Sequence, residues 1–246
     1  MTRKIALTLV LLASFLPSCD AAMAAEWAIT LRQGKEWVNS SDLHVQSGAT
    51  DVDFADVPWR DESYSSPLYF GIGVTRWNTH SPAWGFGLDY TGAKAVLDAS
   101  ESAFARGTIE GKPVDGPQRI GDAISLLAFS SLNLVTANAY HRWRFEPATQ
   151  SSYPRPGTAL FLGLGAGVAI PHVEAQVRGI HNDDYQFGGP TLRGVAGIEM
   201  PFDEHMGLIA EGMLSWVDLD VDFVDGGGAS ATLLIPQLTL GLVLRK

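Results

Sequence analysis

Apolar residues alternate with small or polar residues in several separate segments of this chain. In residues 84–91, large apolar side chains at even positions oppose glycine, aspartate and threonine at odd positions, and residues 68–75, 160–170 and 237–244 repeat the pattern. A period of two places alternate side chains on opposite faces of a β-strand. We therefore predict four strongly marked β-strands.

The face opposite the apolar side chains is rich in glycine and carries few charges. In residues 84–91, that face holds Gly85, Gly87, Asp89 and Thr91. A soluble periplasmic β-sandwich also alternates, but its solvent-facing side would be richer in charge. Small residues suit the narrow interior of a barrel whose apolar face contacts lipid. We therefore favour the membrane barrel over the sandwich.

Weaker alternation marks four more strands near residues 27–37, 131–145, 190–201 and 207–218, which brings the total to eight. Long connections tend to alternate with shorter ones, as in barrels with long outer loops and short inner turns. The sequence predicts an all-β fold, an eight-stranded antiparallel up-and-down transmembrane β-barrel with both ends of the barrel domain on the periplasmic side.

The N-terminus has the pattern of a secretory signal. Arg3 and Lys4 precede an apolar run over residues 5–16, and Ala-Met-Ala-Ala ends at Ala25. Cleavage after Ala24 or close by would leave one barrel domain over residues 25–246, with residues 1–24 as the signal peptide. Cys19 leaves lipoprotein processing as an alternative, although the downstream Ala-x-Ala site fits better.

Composition narrows the choice of partners. The chain has 26 glycines, 7 tryptophans and 18% charged residues, with a formal net charge of −10. Without residues 1–24 the basic count falls from 17 to 15 and the acidic count from 27 to 26, so the net charge becomes −11. A nucleic-acid partner is excluded, because such proteins carry basic surfaces. We expect a monomer in the outer membrane of a Gram-negative bacterium, in contact with lipid and lipopolysaccharide.

Several charged residues fall on the inward face of the predicted strands. An eight-stranded barrel is too narrow for an open pore, so these charges should pair inside it. The predicted lumen ion-pair network comprises Arg32, Asp89, Arg193, Glu199 and Glu211.

His172 and Glu174 are the candidate catalytic residues. They lie two positions apart, so both side chains leave the same face of a strand, which counts as outward and just above the apolar band. A histidine beside a carboxylate can act as an acid–base pair or bind a metal. Alternatively, the pair only contacts lipopolysaccharide head groups, or a bulge at Pro171 turns both side chains inward.

The sequence does not identify a cofactor. His181, Asp183 and Asp184 form an acidic cluster suited to attract a divalent cation, without the spacing of an ordered calcium loop. The sequence shows no serine–histidine–acid arrangement, phosphate loop or nucleotide-binding motif.

Five segments are informative when taken together: residues 66–71 (SPLYFG), 84–91 (WGFGLDYT), 132–138 (LNLVTAN), 163–174 (GLGAGVAIPHVE) and 185–190 (YQFGGP). In this order, they resemble the alphaproteobacterial outer-membrane barrel family that includes lipid A oxidase.

The resemblance implies oxygen-dependent oxidation of the proximal glucosamine of lipid A to 2-aminogluconate. The chain departs from the family where Thr-His-x-Lys is expected, because it has Thr91-Gly92-Ala93-Lys94. If that histidine is essential, the protein is instead a non-enzymatic structural or adhesion barrel of the OmpA or opacity type.

Overall fold

The computed structural model describes residues 26–66, 68–78, 81–145, 157–177, 180–224 and 226–246. The predicted signal peptide and Cys19 lie outside the described residues. The strands are β1 (Trp27–Glu36), β2 (Ser41–Ser47), β3 (Thr50–Val57), β4 (Trp59–Arg60), β5 (Phe70–Trp77), β6 (Trp84–Leu97), β7 (Ser102–Ile109), β8 (Lys112–Arg119), β9 (Leu126–Phe145), β10 (Thr158–Val177), β11 (Ile180–Tyr185), β12 (Gly189–Pro201), β13 (Met206–Asp222) and β14 (Gly228–Arg245).

Eight of these strands form a closed ring in the order β1–β5–β6–β9–β10–β12–β13–β14, and β14 returns to pair with β1. Every pair in the ring is antiparallel and joins consecutive ring strands. The predicted eight-stranded up-and-down architecture is confirmed. Within the described ranges the single helical element is a 3₁₀ turn, Ile120–Asp122, and none of the helical structure there is long and apolar enough to cross a membrane.

The ring closes at the end that holds both chain termini of the barrel, which we call the base. Trp27 and Lys246 exchange two backbone hydrogen bonds of 2.9 Å. Glu26, directly before β1, accepts two 2.8 Å hydrogen bonds from the Arg142 guanidinium and further ones from Arg144. Arg142 also lies 3.7 Å from the Trp77 ring centroid. The base is therefore held by a clasp of charge and aromatic contacts that joins β1, β5 and β9.

The outward face of the ring is an apolar belt. Leu88, Leu164 and Leu240 are 66%, 75% and 69% exposed, and their outward neighbours along each strand are also apolar. Three exposed tryptophans, Trp27, Trp84 and Trp143, lie on this face near the base. A continuous apolar belt of this extent is stable against lipid rather than water, and aromatic side chains commonly border such a belt.

Inward glycines make room for larger polar side chains in the lumen. A Cβ at Gly73 would lie 2.6 Å from Thr30 Oγ1 and 2.8 Å from Asp89 Oδ2, and a Cβ at Gly71 would lie 3.1 Å from the Arg32 guanidinium. The glycine-rich face of the sequence pattern therefore marks the positions where charged side chains cross the barrel interior.

The end opposite the base carries a second layer of structure, which we call the crown. It consists of β2, β3, β4, β7, β8 and β11 together with the projecting ends of β9, β10, β13 and β14. The hairpin β2–β3 pairs with the end of β14, and the hairpin β7–β8 pairs with β3. The segments 38–62 and 97–130, expected to be connections, therefore contain five strands.

The crown has its own hydrophobic core. Leu43, Phe54, Leu132, Leu219 and Leu233 are each at most 1% exposed within one cluster. On β2, Leu43 and Val45 point inward whereas His44 and Gln46 lie on the outer side, so these segments fold as strands because they alternate too. The core fills the interior at this end of the molecule.

Candidate functional site

Four of the five charged residues assigned to the lumen lie in one connected network. Arg32 donates to Glu211 at 2.7 Å and also pairs with Asp89. Arg193 pairs with the other oxygen of Asp89 and donates to Thr91 Oγ1 at 2.7 Å. Two arginines and two carboxylates compensate each other in a site closed to solvent.

The fifth residue, Glu199, has a separate partner. Its carboxylate pairs with Arg245 near the base, a residue that the sequence analysis did not include. The lumen cavity beside Arg32, Glu199 and Glu211 has a volume of about 30 Å³, room for a single water molecule. Of the charged residues that line this cavity, Arg32 and Glu211 pair with each other, and Glu199 pairs with Arg245.

His172 and Glu174 lie on the outward face of β10. The even-numbered residues of β10 point outward, and His172 and Glu174 follow this alternation. Ile170 is the last exposed apolar residue before them. Pro171 points inward and is buried. A bulge is present here, but the extra residue is Ser130 on β9, between Ser131 opposite His172 and Phe129 opposite Val173. The bulge therefore leaves His172 and Glu174 outward.

His172 contacts a serine and an aspartate at once. The Ser130 hydroxyl lies 2.9 Å from Nδ1, and Asp183 Oδ1 lies 2.7 Å from Nε2. The Glu174 carboxylate lies 3.6 Å from Nδ1. We call Ser130, His172, Glu174, Asp183 and Tyr185 the rim site.

Three strands build the rim site. The bulge on β9 places Ser130 beside β10, and β11 folds back so that Asp183 is opposite Glu174 and Tyr185 is opposite His172. The Tyr185 ring packs on the imidazole with centroids 4.5 Å apart at 36°. The imidazole is 24% exposed and the Asp183 carboxylate 55%, so the site is open to a molecule outside the barrel.

Sequence reasoning found His172 and Glu174 but missed Ser130 and Asp183 as their partners. Ser130 is 42 residues away, and a bulge that shifts the β9 register by one residue decides which way it points. No serine–histidine–acid motif is visible in the sequence, because the fold brings Ser130 and Asp183 to the two ring nitrogens of His172 from different strands. Residues 180–185 have no regular alternation of apolar and polar side chains, so no pattern marks them as a strand beside β10.

Gly92 lies close to the rim site in the sheet. It is opposite Asn133 on β9, and Asn133 is opposite Ile170 on β10. A Cβ at Gly92 would lie 3.3 Å from the Phe70 ring and 3.5 Å from the Tyr90 hydroxyl. Gly92 takes the place of the histidine expected from the family resemblance. It lies on β6, two strands from His172.

The two aspartates of the acidic cluster at residues 181–184 contact different groups. Asp183 binds the His172 ring, and Asp184 accepts a hydrogen bond from the Tyr185 backbone at 2.8 Å. Among the side chains that the structure describes, no group of three or more His, Cys, Asp or Glu residues is arranged to hold a metal ion.

The outer surface of the crown holds an open acidic depression of about 790 Å³. Its lining includes Asp42, Asp53, Asp56 and Asp218, with His44 as a partner of Asp53 at 2.8 Å. This depression shares no lining residue with the rim site.

The closed ring, the filled lumen and the apolar belt define the fold of a small outer-membrane β-barrel.

No protein-family model matches the sequence, and no curated protein matches it. The chain is similar to three solved structures that share this architecture. Neisserial surface protein A is 11% identical, covers 90% of this chain and 98% of its own, and has a TM-score of 0.40. The outer-membrane protein AlkL, determined in DMPC bilayers, is 10% identical, with 94% and 95% covered and a TM-score of 0.44. OprG from Pseudomonas aeruginosa is 11% identical, with 91% and 97% covered and a TM-score of 0.44. These similarities concern the fold alone.

Proposed function

We propose that this protein resides in the Gram-negative outer membrane and modifies a lipid of its outer leaflet at the rim site. One observation supports this more than any other. His172, with its serine and carboxylate partners, lies on the outward surface directly above the apolar belt, not inside the barrel. A site in that position meets the head-group region of membrane lipids.

The proposed orientation has the base in the periplasm and the crown outside the cell. The base has the short connection between β12 and β13, whereas the opposite end has the long segments that form the crown. Barrels of this class have short periplasmic turns and longer extracellular loops. The rim site then belongs to the outer leaflet, where the lipid is lipid A.

Lipid A is the proposed substrate, and the resemblance supplies the reaction: oxidation of the proximal glucosamine to 2-aminogluconate. The cofactor, if one is needed, stays unidentified. Gly92 is the position at which the chain lacks the histidine expected from the resemblance. A histidine there would lie beside Phe70 and Tyr90 on the outward face of the sheet.

The test is mass spectrometry of lipid A from aerobically grown cells with and without the gene. One added oxygen that depends on the gene is the expected result. His172→Ala and Glu174→Gln should abolish any gene-dependent change while the barrel still assembles, because both side chains lie on the outward face of β10 and not among the buried side chains of the core. Identical spectra for all strains contradict the proposal.

The acidic depression of the crown favours a second candidate function, a non-enzymatic surface or adhesion barrel. It offers several carboxylates outside the membrane to a cationic partner. Under this function the lipid A spectra stay unchanged, whereas replacement of Asp42, Asp53 and Asp218 by asparagine weakens adhesion of the cells to cationic surfaces. Unchanged adhesion would contradict it.

A further inference from the structure

We propose that Ser130, His172 and Asp183 form a nucleophile–base–acid triad that hydrolyses an acyl ester of a membrane lipid. The inference rests on the proposed function in one respect, that the substrate is a lipid of the outer leaflet. It assigns to the rim site a reaction that requires only water as co-substrate.

The geometry is that of an activated serine. The Ser130 hydroxyl is within hydrogen-bond distance of one ring nitrogen, and Asp183 is within hydrogen-bond distance of the other, at 2.9 Å and 2.7 Å. Asp183 accepts a hydrogen bond from the N–H at Nε2. This fixes the imidazole tautomer in which Nδ1 carries no hydrogen and can accept the proton of Ser130. The two ring nitrogens are used in the reverse order from the common serine protease arrangement, but the chain of nucleophile, base and orienting acid is the same.

The surroundings hold the imidazole in this position. Tyr185 packs against the ring, and Glu174 is 3.6 Å from Nδ1. A second carboxylate at that distance stabilises the imidazolium formed when Ser130 gives up its proton. Glu174 therefore acts as a positioning and electrostatic residue, whereas Ser130 and His172 are the catalytic residues.

The bulge on β9 positions the Ser130 side chain. It is the extra residue of β9, and bulges re-aim side chains out of the regular ladder and recur next to active sites. Backbone N–H groups that a bulge releases from pairing can donate to the oxyanion of an ester under attack. The irregularity therefore directs the Ser130 hydroxyl to the His172 ring.

The reaction proceeds in two balanced steps. Ser130 Oγ attacks the ester carbonyl and transfers its proton to His172 Nδ1; the bond to the alcohol then breaks, and Nδ1 protonates the leaving oxygen. Water next attacks the acyl-serine, again with Nδ1 accepting a proton, and the fatty acid leaves as Ser130 recovers its hydrogen. The net change is ester plus water to alcohol plus fatty acid.

The location selects a lipid acyl ester over a phosphate group. Asp183 and Glu174 make the site acidic, which disfavours a phosphate anion. The exposed side chains of Ile170 and Tyr185 offer apolar contacts beside the imidazole. Ester bonds of membrane lipids lie at this boundary between acyl chains and head groups.

The test uses the full mature barrel folded in vesicles, one set of lipopolysaccharide with ester-linked acyl chains and one of diacyl phospholipid. Two quantities are measured: fatty acid released, by mass spectrometry, and covalent labelling by a fluorophosphonate. We expect release from at least one set and a label on Ser130. Ser130→Ala should abolish the label, and Ser130→Ala and His172→Ala should each lower the release on the order of 10³-fold or more. Ser131→Ala, a change in the adjacent serine of the same bulge, is the matched control and should keep both activities.

The outcomes separate the two proposals. Fatty acid release from lipopolysaccharide supports both the triad and the lipid substrate. Release from phospholipid alone supports the triad and contradicts lipid A as substrate. Lipid A that gains oxygen without losing an acyl chain supports the oxidation and overturns the triad. A folded protein that neither takes the label nor releases fatty acid, or a Ser130→Ala variant as active as wild type, also overturns the triad.

Discussion

Single small residues decide how charged side chains fit inside the barrel. Gly73 is on the lumen side of β5, where a side chain would meet Thr30 and Asp89. The alternation of the sequence identified this face as glycine-rich, but not which long side chain each glycine accommodates. That depends on the stagger between neighbouring strands, which only the paired structure gives.

The first residue-scale prediction concerns this glycine. Gly73→Ala would place a methyl group 2.6 Å from Thr30 Oγ1 and 2.8 Å from Asp89 Oδ2, so the ion pairs around Asp89 must shift. We expect the free energy of unfolding to fall by about 1–3 kcal/mol, measured by urea titration in vesicles. Gly212→Ala is the control, because no atom lies within 4 Å of a Cβ there. Equal effects of both changes would contradict this explanation.

The second residue-scale prediction concerns Arg193. Removal of its side chain leaves Asp89 with one arginine partner, Arg32, and Thr91 without its guanidinium donor in a site closed to water. We expect Arg193→Ala to lower the free energy of unfolding by about 3–5 kcal/mol. Arg106→Ala, which removes an exposed ion pair of 3.6 Å with Asp115, should cost no more than about 1 kcal/mol. A stable Arg193→Ala barrel would show that the lumen pairs contribute little.

At the scale of the elements, period-two alternation predicts the eight strands of the ring, and it also extends into the connections. Leu43 and Val45 alternate with His44 and Gln46 as clearly as the residues of the barrel strands do, so alternation marks β2 as a strand although its segment has the length of a long loop. The candidate site was half predictable: His172 and Glu174 follow from parity along one strand. Ser130 depends on a bulge and Asp183 on a strand folding back, neither of which has a pattern of its own.

The clasp at the base gives a prediction about pH. Burial alone raises the pKa of Glu26, but the hydrogen bonds and charges of Arg142 and Arg144 outweigh burial and lower it. Because the folded-state pKa is below that of the unfolded chain, Glu26 stabilises the fold above the ordinary glutamate pKa. This contribution is lost as the pH falls through the lowered value.

Glu26→Gln should therefore destabilise the barrel at neutral pH, on the order of 1.5–3 kcal/mol for hydrogen bonds to charged groups. The difference from wild type should shrink as the pH is lowered below about 5 and vanish below the folded-state pKa. Unfolding free energies measured from pH 7 down to pH 3 check this. A difference that stays constant with pH would mean that Glu26 acts through packing and not through its charge.

At the scale of the whole molecule, an apolar belt surrounds a polar lumen, and the crown closes one end. Every ring strand is hydrogen-bonded on both sides, which removes the unpaired edges that lipid cannot satisfy. We expect heat-modifiable migration on unboiled gels and a β-rich circular dichroism spectrum in detergent. Recovery of the protein as a detergent-free soluble monomer would contradict the membrane assignment.

The double pairing of β14 sets the order in which the protein can be assembled. Its lower part completes the ring against β1, and its first residues, Gly228 to Ala231, give β2 its neighbour. A chain made from its N-terminus therefore produces its first two strands long before the segment on which both depend. Until β14 is present, neither the wall of the barrel nor the first hairpin of the crown has all of its strand neighbours, so closure of the ring and attachment of that hairpin are completed by the same strand.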